Sequence, residues 1–332
     1  MIRAQVEPRP GARLIAVGGV RGSHLVTNEE VAGPINSSDE WIAARTGIAT
    51  RARAGAGVTV LDMAEQAARR ALERAEMDPA QLDAVILASI TYFQQTPAAA
   101  PALAARLGAG GGAAAAFDVN AACAGYCYGI GLADALVRAG GATNVLVVGA
   151  DKLSEFIDPT DRTISFILGD GAGAAIVGPA DRPLIGPTVW GSDGAKAGSV
   201  GQNRTFPEAV ADGVWPTLRQ AGPTVYKWAV FAMTQAALQA IAAAGLAPKD
   251  IDVFIPHQAN LRIIEQQFKR IGFGPETVVA TDIIATGNTS AASVPLATER
   301  LRREHPELSG KTALQIGFGA GLAYAAQVVI LP

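Results

Sequence analysis

Two segments of this chain, 169 residues apart, carry the same succession of signals, and a chain built from two copies of one unit has few architectures open to it. In the first, Ala67-Ala68-Arg69-Arg70-Ala71-Leu72 leads through Asp78-Pro79-Ala80-Gln81-Leu82-Asp83 into the apolar run Ala84-Val85-Ile86-Leu87. In the second, Ala236-Ala237-Leu238-Gln239-Ala240-Ile241 leads through Ala247-Pro248-Lys249-Asp250-Ile251-Asp252 into Val253-Phe254-Ile255. Pro79 thus matches Pro248, and Asp83 matches Asp252. Further on, Asn144-Val145-Leu146-Val147-Val148-Gly149 corresponds to Thr312-Ala313-Leu314-Gln315-Ile316-Gly317, and Ala174-Ala175-Ile176-Val177 to Ala325-Ala326-Gln327-Val328-Val329. Each half reads as helices alternating with short, wholly apolar strands, the pattern of a sheet covered on both faces. The pattern predicts an α/β protein of two pseudo-duplicated halves, 1–180 and 181–332, stacked with the active centre between them.

The composition allows this. Of 332 residues, 49% are apolar and 17% charged, enough for a large core. A net charge of −3 gives no reason to expect nucleic acid. The cysteines, Cys123 and Cys127, cannot make a disulfide framework, and the opening residues Met1 to Pro10 lack an apolar signal segment, so a reducing cytoplasm is expected. Residues 96–117 are mostly Ala, Gly and Pro and include Arg106, which disqualifies them as a membrane span.

Three polar side chains stand in motifs suited to thioester chemistry. Cys123, in Asn-Ala-Ala-Cys-Ala-Gly, falls between a strand ending near 119 and a helix over 129–137, at a strand-to-helix turn with small neighbours. The partial positive charge of a helix N-terminus there predicts a thiol with a lowered pKa. His257, in Ile-Pro-His-Gln-Ala-Asn, ends an apolar strand over 252–256, whereas His24 and His305 lie in polar surroundings. Asn288, in Gly-Asn-Thr-Ser-Ala-Ala-Ser, opens a helix in the second half where Cys123 opens one in the first. Taken singly, Cys123 also reads as a buried structural thiol and Asn288 as a helix cap. Competing motifs fail on order or spacing. Gly108-Ala109-Gly110-Gly111-Gly112-Ala113 precedes a strand instead of following one, Gly310-Lys311-Thr312 lacks the earlier glycine of a phosphate loop, and the cysteine spacing does not fit zinc.

Together these residues resemble the thiolase superfamily, specifically the β-ketoacyl-acyl-carrier-protein synthase III family of initiating condensing enzymes. The resemblance also takes in Ser38-Asp39-Glu40-Trp41-Ile42-Ala43-Ala44-Arg45-Thr46-Gly47-Ile48, Asp158-Pro159-Thr160-Asp161-Arg162 and Gly169-Asp170-Gly171-Ala172-Gly173-Ala174-Ala175, and so spans nearly the whole chain. It implies a layered αβαβα fold, a homodimer, and no cofactor, with acyl-CoA as substrate. Cys123 would be acylated by acyl-CoA, the oxyanion being held by the backbone N–H groups of Cys123 and Ala320. Malonyl-acyl-carrier protein would then lose CO₂, with His257 and Asn288 stabilising the enolate that attacks the acyl group. Trp41, Arg45, Thr46, Arg162, Gly222, Tyr226, Ala259 and Asn260 fall where the family binds CoA and pantetheine. Arg262, Lys269 and Arg270, spaced to share one helix face, would suit an acidic carrier protein.

Departures from the family pattern bear on the acyl group. Thr96-Pro97 stands where an aromatic-proline pair is usual at the acyl pocket across the dimer interface, Tyr226 replaces a usual Phe, and Ala320 a common Gly. A roomier or more polar pocket follows. Two other readings remain open on sequence alone: acyl transfer from Cys123 to a carrier, alcohol or amine without condensation, and a non-catalytic partner subunit.

Overall fold

A computed structural model of the chain describes residues 8–332, so most of the polar opening stretch, residues 1–7, lies outside the described residues. The strands are β1 (Gly11–Arg21), β2 (His24–Thr27), β3 (Thr50–Arg53), β4 (Ala84–Ala88), β5 (Ala115–Val119), β6 (Val145–Lys152), β7 (Asp170–Ala180), β8 (Val189–Ser192), β9 (Val200–Gln202), β10 (Leu218–Gln220), β11 (Val253–Pro256), β12 (Val278–Val279), β13 (Thr312–Gly319) and β14 (Ala323–Ile330). The helices are α1 (Asn28–Ala32), α2 (Asp39–Thr46), α3 (Val60–Arg74), α4 (Ala99–Leu107), α5 (Gly125–Arg138), α6 (Phe206–Asp212), α7 (Gly222–Ala243), α8 (Leu261–Ile271), α9 (Ile283–Thr286) and α10 (Ser293–Glu304).

The duplication is present in three dimensions. One sheet runs β1-β7-β6-β4-β5, and the other, in the same sense, runs β8-β14-β13-β11-β12. In each, the three strands at one end are parallel, β6-β4-β5 and β13-β11-β12, while the remaining neighbours are antiparallel. The matched prolines each open a single 3₁₀ turn, Pro79–Gln81 and Pro248–Asp250. The matched aspartates do the same work: Asp83 Oδ2 accepts from Thr143 N at 2.7 Å and Asn144 N at 3.0 Å, and Asp252 Oδ2 accepts from Thr312 N at 2.9 Å. Each carboxylate thereby ties the start of one central strand to the next.

Strand alternation divides the core into layers. On one face of the first sheet, Ile86, Val145 and Val147 pack with Ile130, Ala133 and Val137 of α5, in a cluster that also holds Val253 and Ile255 of the second sheet and Val294 and Ala297 of α10. On its other face, Val85, Leu87, Leu146 and Val148 pack against α3 and α4. The second sheet turns Leu314 and Ile316 toward α7 and α8. The result is α3 and α4, a sheet, α5 and α10, a sheet, then α7 and α8: the αβαβα stack. Both faces of the inner strands are dry, so they read as unbroken apolar runs, each buried Val or Ile contributing about 1.5–3 kcal/mol.

A pair of matched glycines sets the centre. A Cβ on Gly149 of β6 would stand 2.3 Å from Ala291 O, and one on Gly317 of β13 would stand 2.9 Å from Ala124 Cα. Each sheet therefore admits the turn that opens the other half's central helix. Among the described residues no helix is long and apolar enough to cross a membrane.

Candidate active site

Cys123 lies in the 3₁₀ turn Ala122–Ala124, which bends the chain from β5 into α5. Ala122 takes φ 46 there, and the corresponding turn before α10, Ser290–Ala292, begins with Ser290 at φ 52. The small side chains of this segment tolerate the left-handed bend and the close approach of β13. A Cβ on Gly319, at the end of β13, would stand 2.9 Å from Cys123 Sγ, so this glycine makes room for the thiol.

One cavity is lined by Cys123, His257 and Asn288, together with Ser290, Gly319 and Ala320. Its remaining wall is largely apolar, including Ile164, Leu168, Leu218 and Trp228. The fold therefore brings together the three polar side chains that the sequence singled out. His257 follows β11, anchored by its backbone N–H to Ile316 O at 2.7 Å. Its Nδ1 lies 2.7 Å from Ser293 Oγ, and Phe318 packs edge-on against the ring at 5.2 Å. Asn288 is pinned by its backbone to Ile167 O and Gly169 N, and its Oδ1 accepts from Ser290 N at 2.8 Å. With the amide oxygen engaged, the Nδ2 donors are left for the cavity.

Burial sets the ionisation of the site, and here the sequence expectation is corrected. Cys123 is half-buried in the turn before the helix, and its desolvation there, with the Asp151 carboxylate adding in the same direction, pushes its thiol up to about 12 against a partial offset from the Ser290 hydroxyl. The helix N-terminus does not leave it a resting thiolate, because desolvating an anion outweighs half a unit of dipole charge. Burial likewise pushes His257 down to about 3, so its imidazole is neutral. The pair is thiol and imidazole, not thiolate and imidazolium.

Most of the residues assigned to CoA gather on the adjoining surface. The Trp41 ring is flanked by the guanidinium groups of Arg45 at 4.4 Å and Arg162 at 4.6 Å. Asn260 caps α8, accepting from Arg262 N at 2.9 Å, while its Nδ2 donates to Arg45 O at 3.0 Å. Ala259 lines the cavity, Gly222 opens α7, and Tyr226 lies under the Arg262 guanidinium at 5.8 Å. Thr46 is the exception: it is buried, and its hydroxyl donates to Ile42 O and accepts from Ile48 N, closing the end of α2 instead of facing a ligand. Thr96 is exposed on the loop before α4 and does not line the cavity of its own chain. Arg262, Lys269 and Arg270 are exposed together on α8, Arg270 lying 4.3 Å over the Phe231 ring. Among the described residues no group of three or more His, Cys, Asp or Glu is placed to hold a metal ion.

Sequence reasoning missed Ser293 and Phe318, which hold the imidazole, and Ser290 and Asp151, which lie beside Cys123. The detectable signal was Asp151: a carboxylate ending the buried run Val145 to Ala150 needs partners inside the protein.

Known proteins resemble this chain over nearly its whole length. Residues 117–194 match the model of 3-oxoacyl-[acyl-carrier-protein] synthase III, and residues 241–331 the model of its C-terminal part. A β-ketoacyl-[acyl-carrier-protein] synthase III of Kocuria rhizophila is 51% identical, covering 98% of this chain and 98% of its own. The crystal structure of a priming β-ketosynthase from a polyketide biosynthetic pathway superposes with TM-score 0.96 at 44% identity over 100% of this chain and 99% of that one. A 3-oxoacyl-[acyl-carrier-protein] synthase III from Aquifex aeolicus gives TM-score 0.88 at 34% identity over 96% of this chain and 100% of that one. The chain belongs to the 3-oxoacyl-[acyl-carrier-protein] synthase III family, whose fold is thiolase-like.

Proposed function

We propose that this family member starts acyl chains by a two-stage condensation at Cys123, drawing on acyl-CoA and then on malonyl-acyl-carrier protein. The observation that carries this reading is the shared cavity of Cys123, His257 and Asn288, with a neutral imidazole and an amide whose oxygen is already bonded. In the first stage the Cys123 sulfur attacks the acyl-CoA carbonyl. The carbonyl π electrons move to oxygen, held by the N–H groups of Cys123 and Ala320, and as the tetrahedral intermediate collapses the proton given up by the Cys123 thiol goes to the departing CoA sulfur, so that CoA leaves as its thiol.

In the second stage the malonyl group loses CO₂, and the bonding pair becomes an enolate whose charge resides on the thioester oxygen. His257 Nε2–H and Asn288 Nδ2–H donate to that oxygen. Both donors are uncharged and fixed, which suits a charge that develops only during reaction. The enolate carbon attacks the acyl group, the carbon–sulfur bond to Cys123 breaks with its electron pair going to sulfur, the released sulfur takes a proton from water to return to the thiol, and a β-ketoacyl-carrier product departs. No cofactor is required. Simple transfer to an alcohol or amine would have no use for the His257 and Asn288 donors, and an intact, accessible Cys123 speaks against a purely structural subunit.

Supporting features assign the remaining roles. Trp41 between Arg45 and Arg162 suits an adenine and its phosphates, and the exposed cations Arg262, Lys269 and Arg270 suit an acidic carrier. The open edge of β5, with Phe117 exposed, suits pairing with a second copy, which would bring Thr96 to the partner's acyl pocket. A division of the chain at 1–180 and 181–332 separates the strands of the two large sheets, and a cytoplasmic location suits two free cysteines.

The test is to incubate the protein with a panel of acyl-CoAs, locate the added mass on Cys123, and then add malonyl-carrier protein. Acylation followed by a β-ketoacyl product is expected. Acylation with transfer elsewhere would favour the non-condensing reading.

A further inference from the structure

Gln258 follows His257 in the chain and is 1% exposed, yet the two stages above give it no part. Its Nε2 donates to Pro256 O at 2.7 Å and to Ala280 O at 3.2 Å, and its Oε1 accepts from Ile283 N at 3.0 Å. Two carbonyls on one side and an N–H on the other fix the orientation of the amide, and both of its donors are used. One bond thus returns to the residue before His257, the second reaches the segment after β12, and the third holds the start of α9, five residues before Asn288. The α9 turn is closed at its far end by Thr286 Oγ1, which donates to Asp282 O at 2.8 Å. The Gln258 backbone N–H also donates to Ser293 Oγ at 3.3 Å, the hydroxyl beside His257 Nδ1. The strand end that carries His257 and the turn that leads to Asn288 therefore meet at one buried amide. An ionised carboxylate there would face two carbonyl oxygens, and an apolar side chain would leave both carbonyls and an N–H unpaired in a dry interior.

We propose that Gln258 is a positioning residue whose amide sets the spacing of the His257 and Asn288 donors, a proposal that rests on those donors serving condensation. Both must reach a single enolate oxygen. Neither can readily adjust, since the imidazole is held by Ser293 and Phe318, and the Asn288 amide oxygen by Ser290 N. Their separation is then decided by how the end of β11 is tied to the start of α9, and the Gln258 side chain is bonded to both. Donors of this kind act by being in place before charge develops, and a misplacement of about 1 Å costs about 100-fold in rate. Acylation makes no use of them, because its oxyanion is held by backbone N–H groups. Loss of the clamp should therefore be felt in the second stage alone.

The test measures the two stages separately by mass spectrometry: Cys123 acylation from acyl-CoA, then product formed by the acylated protein from malonyl-carrier protein. Gln258→Met, close in volume, should acylate within about twofold of the native rate but form product about 100-fold more slowly, with the half-saturating malonyl-carrier concentration unchanged. Gln258→Glu supplies the rescue. Buried against two carbonyls, its carboxyl stays protonated to an unusually high pH, buried Glu reaching a pKa of about 8–9, and in that form it donates to Pro256 O while accepting from Ile283 N. Of the charged groups on the joined segments, Asp282 is paired with Arg21 and Arg300 at 3.2 Å each, and His257 is neutral. Product formation by Gln258→Glu should stay within about tenfold of native near pH 6 and fall as pH rises through that pKa, while its acylation follows the native profile. Equal losses in the two stages, as general loosening would cause, or a Gln258→Glu product profile parallel to the native one, overturns the clamp. If Gln258→Met does not fold, the Gln258→Glu profile at constant circular dichroism decides the matter; failure of both to fold makes the residue a purely structural one and overturns the clamp too. A native protein that acylates but forms no β-ketoacyl product overturns the condensation reading and the clamp with it, whereas a condensing native protein with either contrary result overturns the clamp alone.

Discussion

Ser293 Oγ lies 2.7 Å from His257 Nδ1 and also accepts a hydrogen bond from Gln258 N–H at 3.3 Å. The arrangement that satisfies all three groups has the hydroxyl donating to Nδ1, which puts the imidazole proton on Nε2, the nitrogen with no partner among the described residues. A residue of the Asn288 motif thus sets which way His257 can donate.

Ser293→Ala should therefore weaken condensation more than acylation. Losing one neutral hydrogen bond and leaving a buried ring nitrogen unpaired is expected to cost about 1–3 kcal/mol of stability. Product formation from malonyl-carrier protein should fall about tenfold or more while Cys123 still acylates. Parallel mass-spectrometric assays of the two stages check the split.

The buried histidine also predicts a pH dependence of folding. Native His257 stays neutral down to about 3, whereas the unfolded side chain takes up a proton below its ordinary 6.5, so the unfolded state binds more protons as pH falls between these values. Stability from this group is complete above about 6.5 and declines by at most about 1.4 kcal/mol per pH unit below it. Denaturant titrations at pH 7.5 and 5 should show the decline, and His257→Gln should lessen it.

Gly319→Ala should silence the nucleophile with little effect on the fold. The added methyl would meet Cys123 Cβ at 2.8 Å and Sγ at 2.9 Å, forcing the sulfur from its place. Displacing a reacting atom by about 1 Å costs about 100-fold in rate. Acylation of Cys123 and circular dichroism, measured together, separate this from unfolding.

The paired aspartates offer a test of the duplication. Asp83→Ala and Asp252→Ala each free backbone N–H groups that start a central strand, at Thr143 and Asn144 in one half and at Thr312 in the other. Each is expected to lower stability by about 1.5–3 kcal/mol, Asp83→Ala by more because it leaves two donors unpaired. Urea unfolding midpoints give the comparison.

The sequence alone determined the duplicated architecture, because apolar runs, turn prolines and strand-tying aspartates are local signals that repeat wherever the unit repeats. It also marked Cys123, His257 and Asn288, since each sits in a short motif beside a strand or helix end. What tertiary structure decided was the environment of those groups. Gly149 and Gly317 admit the turns of opposite halves, and that crossing places Ser290 and Asp151 beside the thiol, Ser293 beside the imidazole, and Thr46 inside the protein. The ionisation of Cys123 followed from the same packing: a helix end is visible in a sequence, but the loss of water around a sulfur depends on everything that closes over it.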